Sequence, residues 1–481
     1  MPSLEIVDVE ARSIEPLAAL YGPAELSRAG AAVRELTKTL AGGAIWNVSS
    51  TARGGGVAEL LHSLVAYARG AGVDCRWAVI GGGPDFFRLT KRLHNALHGV
   101  SSEPAPSEAD RALYERTATE AAGALLARAQ PGDVVILHDP QPLGMAPALT
   151  RRGLHVIWRC HIGSDRPDGV VRSAARFLAP YVRATHRQVF SRRAHILAQF
   201  DAHTPRVIAP SIDPLSPKNQ PLTPEQQTAI LVHVGLADAN TAAEGAPECV
   251  LADGSRLRIQ RAAEVIRLGS PAPAGEPLVV QVSRWDRLKD HIGVLHGFAR
   301  YLASGGGARL ILAGPNVSAV ADDPEGAEAF EEVLAAYRAL PHGVRRQVEL
   351  ATLPMADARE NAAIVNALQR RATLVVQKSL QEGFGLTVAE AMWKAKPVIA
   401  SRVGGIQDQI EHDVSGLLLD DPRDLQEFAS LLQRGLSDPQ RAERLGRAAA
   451  QRVRDEYLSL RSLYAYADLV CELGSARGGT D

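Results

Sequence analysis

The stretch TLVVQKSLQEGFGLTVAEAMWKAKPVIAS, Thr373–Ser401, decides the fold. Its apolar, β-branched start at Thr373–Gln377 predicts a buried strand, and a second such run follows at Pro397–Ser401. Between them lie a glycine-containing loop and a helical pattern that begins near Thr387. Strand, helix and strand in this order form the βαβ unit of a parallel sheet.

The same alternation extends over most of the 481 residues, in two series of six strands. Between the first two strands, the apolar positions of Val57–Gly70 follow the spacing of a core-facing helix. The two series predict an α/β protein with two Rossmann-like halves. The predicted strands of the first half are Ala44–Ser50, Val73–Ile80, Asp133–His138, His155–His161, Ala194–Gln199 and Arg206–Ala209. Those of the second half are Leu278–Ser283, Arg309–Ala313, Val348–Thr352, Thr373–Gln377, Pro397–Ser401 and Gly416–Leu419.

A proline-rich stretch marks the boundary between the halves. PSIDPLSPKNQPLTP, Pro210–Pro224, contains five prolines, which forbid a regular helix or a central strand and predict an interdomain hinge. We therefore expect an N-terminal domain over residues 1–212 and a C-terminal domain over residues 213–454. Asp438–Leu473 predicts two terminal helices, and we expect the one at about 455–475 to pack back on the N-terminal domain. Ala237–Pro277 is rich in Ala, Gly and Pro and gives no assignable pattern.

Composition excludes several classes of protein. The formal net charge is −1, so the overall field does not favour nucleic acid or an anionic membrane, and the positive charge for an anionic ligand must be local. Four cysteines lie far apart without CxxC spacing, which argues against a zinc site or disulfides and fits a reducing cytosol. An apolar signal sequence and a run of about 18 apolar residues are both missing. We expect a cytoplasmic enzyme without nucleic-acid or membrane partners. We also expect a homodimer, although no motif specifies the oligomeric state.

The loop before the helix at Thr387 carries the clearest chemical signal. Gly383 and Gly385 allow a sharp turn and close approach to a ligand, and a helix N-terminus favours an anion such as a diphosphate. Glu382 and Glu390 bracket the loop. The segment Thr387-Val-Ala-Glu390 also fits a capping box, in which Glu390 serves only its own helix. The residues leave both interpretations open.

A second signal lies in QVSRWDRLKD, Gln281–Asp290, which follows an apolar strand. Arg284 and Lys289 would neutralise a diphosphate leaving group through charge-assisted hydrogen bonds. The alternative is a solvated loop in which Asp286 and Asp290 offset the two cations.

Further candidates follow the strands of the first half. Gly54-Gly55-Gly56 joins the first strand to its helix, as in turns that approach a phosphate or a sugar; it is not GxGxxG, which argues against a dinucleotide site. His138 and Asp139 end one predicted strand, while His161 and Ser164-Asp165 follow the next. These side chains are suited to hold sugar hydroxyls. The alternatives are a flexible turn for the glycines and structural roles for the strand-end side chains.

Together, these segments resemble the retaining glycosyltransferases of the GT-B fold, a family that includes sucrose synthases and many mannosyltransferases. Glu382 and Glu390 with GFGLT between them carry the resemblance, with Arg284 and Lys289 in SRWDRLKD. Four segments of the first half are similar to trehalose glycosyltransferring synthases, whose relatives include trehalose phosphorylases. They are WNVSSTARGGGVAELLHSLV (46–65), FFRLTKRLHNALHG (86–99), HDPQPLGM (138–145) and WRCHIGSD (158–165). The resemblance covers nearly the whole chain and is weakest over the first forty residues and at Ala237–Pro277.

The resemblance implies two Rossmann-like domains facing each other across a cleft, the first binding the acceptor and the second the nucleotide sugar. It implies transfer of glucose from UDP-, ADP- or GDP-glucose to glucose, giving α,α-trehalose reversibly, without a metal or other required cofactor. Arg284 and Lys289 would neutralise the diphosphate, Glu382 would contact the donor sugar and Glu390 the ribose. The implied donor-binding residues are Gly55, Gly56, Arg284, Lys289, Glu382, Gly383, Phe384, Gly385, Leu386, Thr387 and Glu390. His161 would lie near the anomeric carbon, and the acceptor side would comprise His138, Asp139 and Asp165.

Three alternatives remain on the sequence alone. One is a trehalose phosphorylase, in which inorganic phosphate replaces the nucleotide. Another is a retaining glycosyltransferase with a different acceptor, such as a sugar phosphate. The third is a non-catalytic sugar- or nucleotide-binding protein of the same fold, which the presence of both cations and both glutamates disfavours.

Overall fold

The computed structural model describes residues 3–53, 55–99, 104–200, 205–238, 245–317 and 324–475. The chain divides into two compact units. Unit 1 comprises residues 1–211 and 458–481, and unit 2 comprises residues 212–457.

Unit 1 is built on a seven-stranded sheet with the order β1-β3-β2-β4-β5-β6-β7. Strand β1 is antiparallel to β3, and the other neighbours are parallel. The strands are β1 Leu4–Val7, β2 Ile45–Ser49, β3 Cys75–Ile80, β4 Val134–His138, β5 His155–Cys160, β6 Arg187–Phe190 and β7 Arg206–Val207. The helices between them are α1 Ala18–Leu40, α2 Gly56–Gly70, α3 Pro84–Leu97, α4 Glu108–Leu126, α5 Pro140–Leu143, α6 Ala146–Arg151 and α7 Gly169–Val182.

Unit 2 contains a two-stranded hairpin and a seven-stranded sheet with the order β10-β13-β12-β11-β14-β15-β16, in which only β10 is antiparallel to its neighbour. The hairpin strands are β8 Glu248–Val250 and β9 Arg256–Arg258. The sheet strands are β10 Glu264–Ile266, β11 Leu278–Val282, β12 Arg309–Pro315, β13 Val348–Leu353, β14 Leu374–Gln377, β15 Val398–Ser401 and β16 Leu417–Leu419.

The helices of unit 2 lie mostly between its strands, and the last one is followed by the return of the chain to unit 1. They are α8 Pro224–His233, α9 His291–Ala303, α10 Pro324–Ala339, α11 His342–Arg345, α12 Ala358–Arg371, α13 Leu386–Trp393, α14 Ile406–Gln409, α15 Leu425–Leu436 and α16 Pro439–Glu456. The final helix, α17 Ser459–Ser475, belongs to unit 1 and packs against α1 and α2.

The predicted α/β class, with two sheets of mainly parallel strands, is confirmed. One predicted strand is wrong: Ala194–Gln199 lies in a region of short 3-10 turns, and the strand is β6, whose sequence is RQVF. The polar side chains of Arg187 and Gln188 conceal this strand, although Gln188 is fully buried. The unassigned stretch Ala237–Pro277 contains the hairpin and β10, while residues 239–244 lie outside the described ranges.

Both sheets reverse their strand order at one point. In unit 1 the reversal falls between β2 and β4, and in unit 2 between β11 and β14. Ligands of open α/β sheets bind beyond the carboxyl ends of the strands at such points. The loops after these four strands are therefore where a ligand site is expected. In the described parts of the chain, we find no helix with the length and apolar character needed to span a membrane.

Candidate active site

In unit 2, the loop after β11 carries the two predicted cations. Arg284 is half-exposed, and its Nη2 lies 3.2 Å from Asp286 Oδ2. Lys289 is mostly buried and forms an ion pair with Glu382 of the loop after β14. Asp290 instead forms an ion pair with Lys378, which directly follows β14. The expected compensation of both cations by the neighbouring aspartates is therefore correct for Arg284 and wrong for Lys289.

The two loops are held together beneath their charged residues by a buried glutamine. Gln281 donates from Nε2 to Lys289 O at 2.9 Å and accepts from Lys378 N–H at 3.2 Å. Leu380 N–H donates to Leu288 O at 2.7 Å. Because Gln281 is fully buried, these bonds lie away from competing water and fix the spacing between Lys289 and Glu382. The structure thus brings Lys289 and Glu382 together as a preformed charged pair.

The N-terminus of helix α13 has no side-chain cap, which is a property that suits an anion site. Gly385 is its N-cap, with φ +83°, and offers no side-chain oxygen to the first backbone N–H groups. Thr387 lies inside the helix and donates from Oγ1 to Gln377 Oε1 at 3.2 Å, so the capping-box interpretation is wrong. Glu390 is buried, and its Oε1 lies 3.5 Å from Lys218 Nζ. Gly383, Phe384 and Leu386 complete the turn.

A second glycine loop, which the sequence did not suggest, supports the first from behind. A Cβ on Gly404 would lie 1.7 Å from Glu382 O, and one on Gly405 would lie 2.8 Å from Phe384 Cα. Gly405 N–H donates to Gly383 O at 3.0 Å, and Gln409 Nε2 donates to Phe384 O at 2.5 Å. The only available signal was the Gly-Gly pair shortly after a predicted strand.

In unit 1, two stacked imidazoles lie at the carboxyl ends of neighbouring strands: His138 is the last residue of β4, and His161 directly follows β5. His138 Nδ1 and His161 Nε2 are 3.0 Å apart, and His138 Nε2 lies 3.1 Å from Asn47 Oδ1. The Asn47 amide nitrogen faces Arg76 O at 3.5 Å, which leaves Oδ1 to accept from His138. His138 therefore donates from Nε2 and accepts at Nδ1, and His161 donates from Nε2. Burial lowers the pKa of His138 to about 3 and that of His161 well below its usual range, so both rings are neutral.

Asp139 lies directly after His138 with backbone angles φ +65° and ψ −171°. Its Oδ1 accepts the backbone N–H of His161 at 2.7 Å, and its carbonyl accepts Trp158 Nε1 at 3.0 Å. Burial raises the pKa of the Asp139 carboxyl to about 7, against the opposing effects of the His161 N–H and the Arg159 charge. Near neutral pH this carboxylate can therefore change between its protonated and ionised forms.

Asp165 is held by residues that the sequence did not single out. It forms an ion pair with Arg192, and His195 Nε2 lies 3.5 Å from its Oδ1. A Cβ on Gly163 would lie 2.3 Å from Cγ of His195, so the loop between His161 and Asp165 fits closely on the His195 ring. The carboxylate of Asp165 is partly exposed and keeps a defined position.

The first glycine turn is present as predicted. Gly55 has φ +81° and precedes Gly56, the first residue of α2; Gly54 lies outside the described residues. Arg284, Lys289, Glu382, Gly385 and Glu390 belong to unit 2, whereas Gly55, Gly56, His138, Asp139, His161 and Asp165 belong to unit 1. In the described ranges, no group of three or more His, Cys, Asp or Glu side chains is arranged to share a metal ion.

Comparison with known proteins gives the class first. Residues 263–452 match the family described as glycosyl transferases group 1, and residues 47–197 match the trehalose synthase N-terminal domain. The chain resembles the solved UDP-forming α,α-trehalose-phosphate synthase of Burkholderia vietnamiensis, with a TM-score of 0.64 and 16% identity over 89% of this chain and 98% of that one. The fold is that of the GT-B glycosyltransferases, and this chain is a member of that class.

Within the class, the relatives define a narrower family. The chain is 35% identical to the trehalose synthase of Rubrobacter xylanophilus over 90% of this chain and 91% of that protein. It is 33% identical to the trehalose synthase of Pyrococcus horikoshii over 96% and 97% of the two chains. The chain belongs to the trehalose synthase family. A trehalose phosphorylase of Grifola frondosa is 28% identical over 77% of this chain but only 49% of its own length.

Proposed function

We propose that the protein transfers glucose, with retention, from a nucleoside-diphosphate glucose to free glucose and so forms α,α-trehalose reversibly. The observation that carries the proposal is the pair of loops after β11 and β14. They combine two cations, Arg284 and Lys289, with a glycine-capped helix N-terminus at the order reversal of the sheet. Such an arrangement suits a diphosphate that gains negative charge as it leaves.

In the proposed reaction, the bond between the anomeric carbon and the β-phosphate oxygen breaks while a glucose hydroxyl oxygen bonds to the anomeric carbon on the same face. The hydroxyl proton passes to the leaving phosphate oxygen, so the products are trehalose and a nucleoside diphosphate. Arg284 and Lys289 neutralise the leaving group. Lys289 is held against Glu382 before the donor arrives, which keeps the cation and the proposed sugar-binding carboxylate in register.

Unit 1 supplies the proposed acceptor side. Asp139 and Asp165 would accept hydrogen bonds from glucose hydroxyls, with His138 beside them, and neutral His161 would face the anomeric carbon. Gly55 and Gly56 would approach the phosphates.

Trehalose phosphorylase remains the second candidate, since it belongs to the same family. Two observations favour the synthase. The chain spans about half the length of the phosphorylase relative but over nine-tenths of the synthase relatives. Glu390 is a buried carboxylate paired with a cation instead of a helix cap, which suits a ribose contact that a phosphorylase does not need.

The test is to incubate the purified protein with glucose and, separately, UDP-, ADP- and GDP-glucose, and to measure nucleoside diphosphate and disaccharide by chromatography. We expect equal amounts of the two products with at least one donor, and the disaccharide should be non-reducing and cleaved by trehalase. Glucose 1-phosphate released from trehalose with inorganic phosphate, and no product from any donor, would establish the phosphorylase instead. Arg284→Met is the matched variant, with an expected loss of about a hundredfold or more in kcat.

A further inference from the structure

The proline-rich segment that leads into unit 2 is docked along most of its length. Asn366 Nδ2 of α12 donates to Pro217 O at 3.0 Å and to Gln220 O at 2.9 Å. Arg370 Nη2 donates to Asn219 O at 3.2 Å, and so does Trp393 Nε1 of α13. Asn219 and Gln220 are buried. This segment, residues 213–220, is therefore a fixed part of unit 2, and we call it the entry segment.

The entry segment brings a cation to the carboxylate of Glu390. Lys218 Nζ lies 3.5 Å from Glu390 Oε1, and its side chain is about one-fifth exposed. Glu390 itself is almost completely buried. A buried carboxylate without a cation nearby takes up a proton or moves toward water, because burial penalises its charged form. Lys218 therefore helps to determine both the charge and the position of Glu390.

Lys394 is also close to Glu390, but its contacts serve another purpose. Its Nζ donates to Asn219 Oδ1 and to the backbone oxygen of Glu390, both at 3.0 Å. These bonds attach the entry segment to α13. Burial lowers the pKa of Lys394, against the opposing effect of the Glu390 carboxylate. Lys218 instead forms an ion pair with the carboxylate itself.

We propose that Lys218 is a positioning residue for nucleotide recognition, holding Glu390 as an oriented, ionised acceptor for the two ribose hydroxyls. The inference rests on the proposed function, in which Glu390 meets the ribose. A ribose diol donates two O–H groups, and hydrogen bonds to an ionised acceptor are about twice as strong as those to a neutral one. Without Lys218, the Glu390 carboxyl group would no longer be held ionised and oriented. It would therefore accept weaker hydrogen bonds from the ribose hydroxyls.

The test is calorimetric titration of the full-length protein with the nucleoside diphosphate that binds best, and with its 2′,3′-dideoxy analogue. The wild-type protein should bind the intact nucleotide about tenfold or more tightly than the analogue. In Lys218→Met this preference should fall below about threefold, while affinity for the analogue changes little, and Lys218→Arg should restore most of it. Circular dichroism of each variant establishes that it is folded.

Arg267→Met is the matched control, because it removes the cation from another buried glutamate of unit 2, Glu349, whose Oε2 lies 3.1 Å from Arg267 Nη1, and leaves the Lys218–Glu390 pair in place. It should retain the preference for the intact ribose. The inference is overturned if Lys218→Met keeps the wild-type preference, or if Arg267→Met loses it to the same extent. A wild-type protein that binds no nucleoside diphosphate would instead refute the proposed function, and the inference with it. Wild-type binding with no preference for the diol would refute the ribose role of Glu390 alone.

Discussion

At the scale of single residues, Asp139 combines an unusual backbone conformation with an unusually high carboxyl pKa. Its φ of +65° with ψ near 180° is a conformation that residues with a Cβ rarely adopt and that costs about 1–3 kcal/mol. Hydrogen bonds from Trp158 and His161 hold its carbonyl and its carboxylate in place. Arg159, fully buried, donates to Ile208 O at 2.7 Å and acts on Asp139 through its charge. The residue is therefore pre-oriented before an acceptor binds.

We expect acceptor use to weaken as the pH falls through about 7, because Asp139 accepts hydrogen bonds from glucose hydroxyls more strongly when it is ionised and its pKa is about 7. Arg159→Met removes the positive charge that favours the ionised form and should move this acidic limb upward by about one pH unit. Arg159→Lys should leave it near its original position. The measurement is kcat/KM for glucose across the pH range, for all three proteins. An identical limb in wild type and Arg159→Met would contradict the assignment.

The stability of the protein should follow a different pH dependence. The pKa of Asp139 is raised on folding, so its contribution to stability is complete below about pH 4 and is lost as the pH rises toward 7. The pKa of His138 is lowered to about 3, so its contribution is lost as the pH falls below about 6.5. Other titratable groups around Asp139 are Cys160, His161 and Tyr466. Comparing the unfolding midpoint with kcat/KM for glucose at each pH therefore distinguishes a loss of acceptor binding from a loss of folded structure.

At the scale of elements, the parallel strands were predictable with the exception of β6, and the antiparallel edge strands β1 and β10 were not. β11 and β14 are buried on both faces, so they read as continuous apolar runs. β1 and β10 are short, antiparallel and half-exposed, and their few apolar residues give no pattern. The alternation of strands and helices predicted the parallel core of each sheet, but it did not predict the order of the strands.

The candidate site was predictable where residues close together in the sequence indicate its chemistry. Glycines before a helix and cations after a strand indicate an anion site without knowledge of tertiary contacts, as for Gly385 and Arg284. The contacts that fix the site come from residues distant in sequence. Lys218 reaches Glu390 from the entry segment, and Gly404 lies against Glu382 from the loop after β15. No local sequence pattern indicates these contacts, because they depend on how the helices and loops pack.

The loop after β15 is expected to tolerate no side chain at Gly404. Gly404 has φ +49°, and a Cβ there would lie 1.7 Å from Glu382 O. This oxygen belongs to the backbone, so it cannot rotate away as a side-chain atom could. Gly404→Ala should lower stability by about 1–3 kcal/mol and weaken donor binding, because Glu382 and the turn to α13 must shift. Gly343→Ala, where a Cβ would meet nothing within 4 Å, is the matched control. Thermal unfolding and donor titration check both; equal behaviour of the two variants would refute the close approach.

At the scale of the whole molecule, each unit has an apolar core of its own among the described residues, and the chain crosses between the units twice. One core is confined to residues between Leu4 and Phe200, and the other to residues between Val279 and Leu445. The chain enters unit 2 at Ile212 and leaves it at Tyr457, and these two residues are joined by a backbone hydrogen bond of 2.8 Å. Unit 2 is thus a continuous segment with adjacent ends, whereas unit 1 needs the returning helix α17.

This asymmetry predicts different behaviour for fragments. Residues 212–457 should fold alone with a cooperative transition, because their core and sheet are complete and their ends meet. If nucleotide recognition belongs to unit 2, as we propose, this fragment should bind nucleoside diphosphate with a Kd within about tenfold of the full-length value. It should make no trehalose, since the proposed acceptor residues lie in unit 1.

Residues 1–211 should behave differently, because without α17 they expose the apolar surfaces of α1 and α2. We expect this fragment to aggregate or to bind a hydrophobic dye. Joining residues 458–475 to it through a short Gly/Ser linker should restore a soluble, cooperatively folded domain, because Tyr464 of α17 again donates to Glu25 O and Ser462 to Ser211 Oγ. Calorimetry and size-exclusion chromatography of the three fragments make the comparison. A soluble, cooperatively folding fragment 1–211 would mean that α17 is dispensable and that the division of the chain into an inserted unit and an interrupted one has no energetic basis.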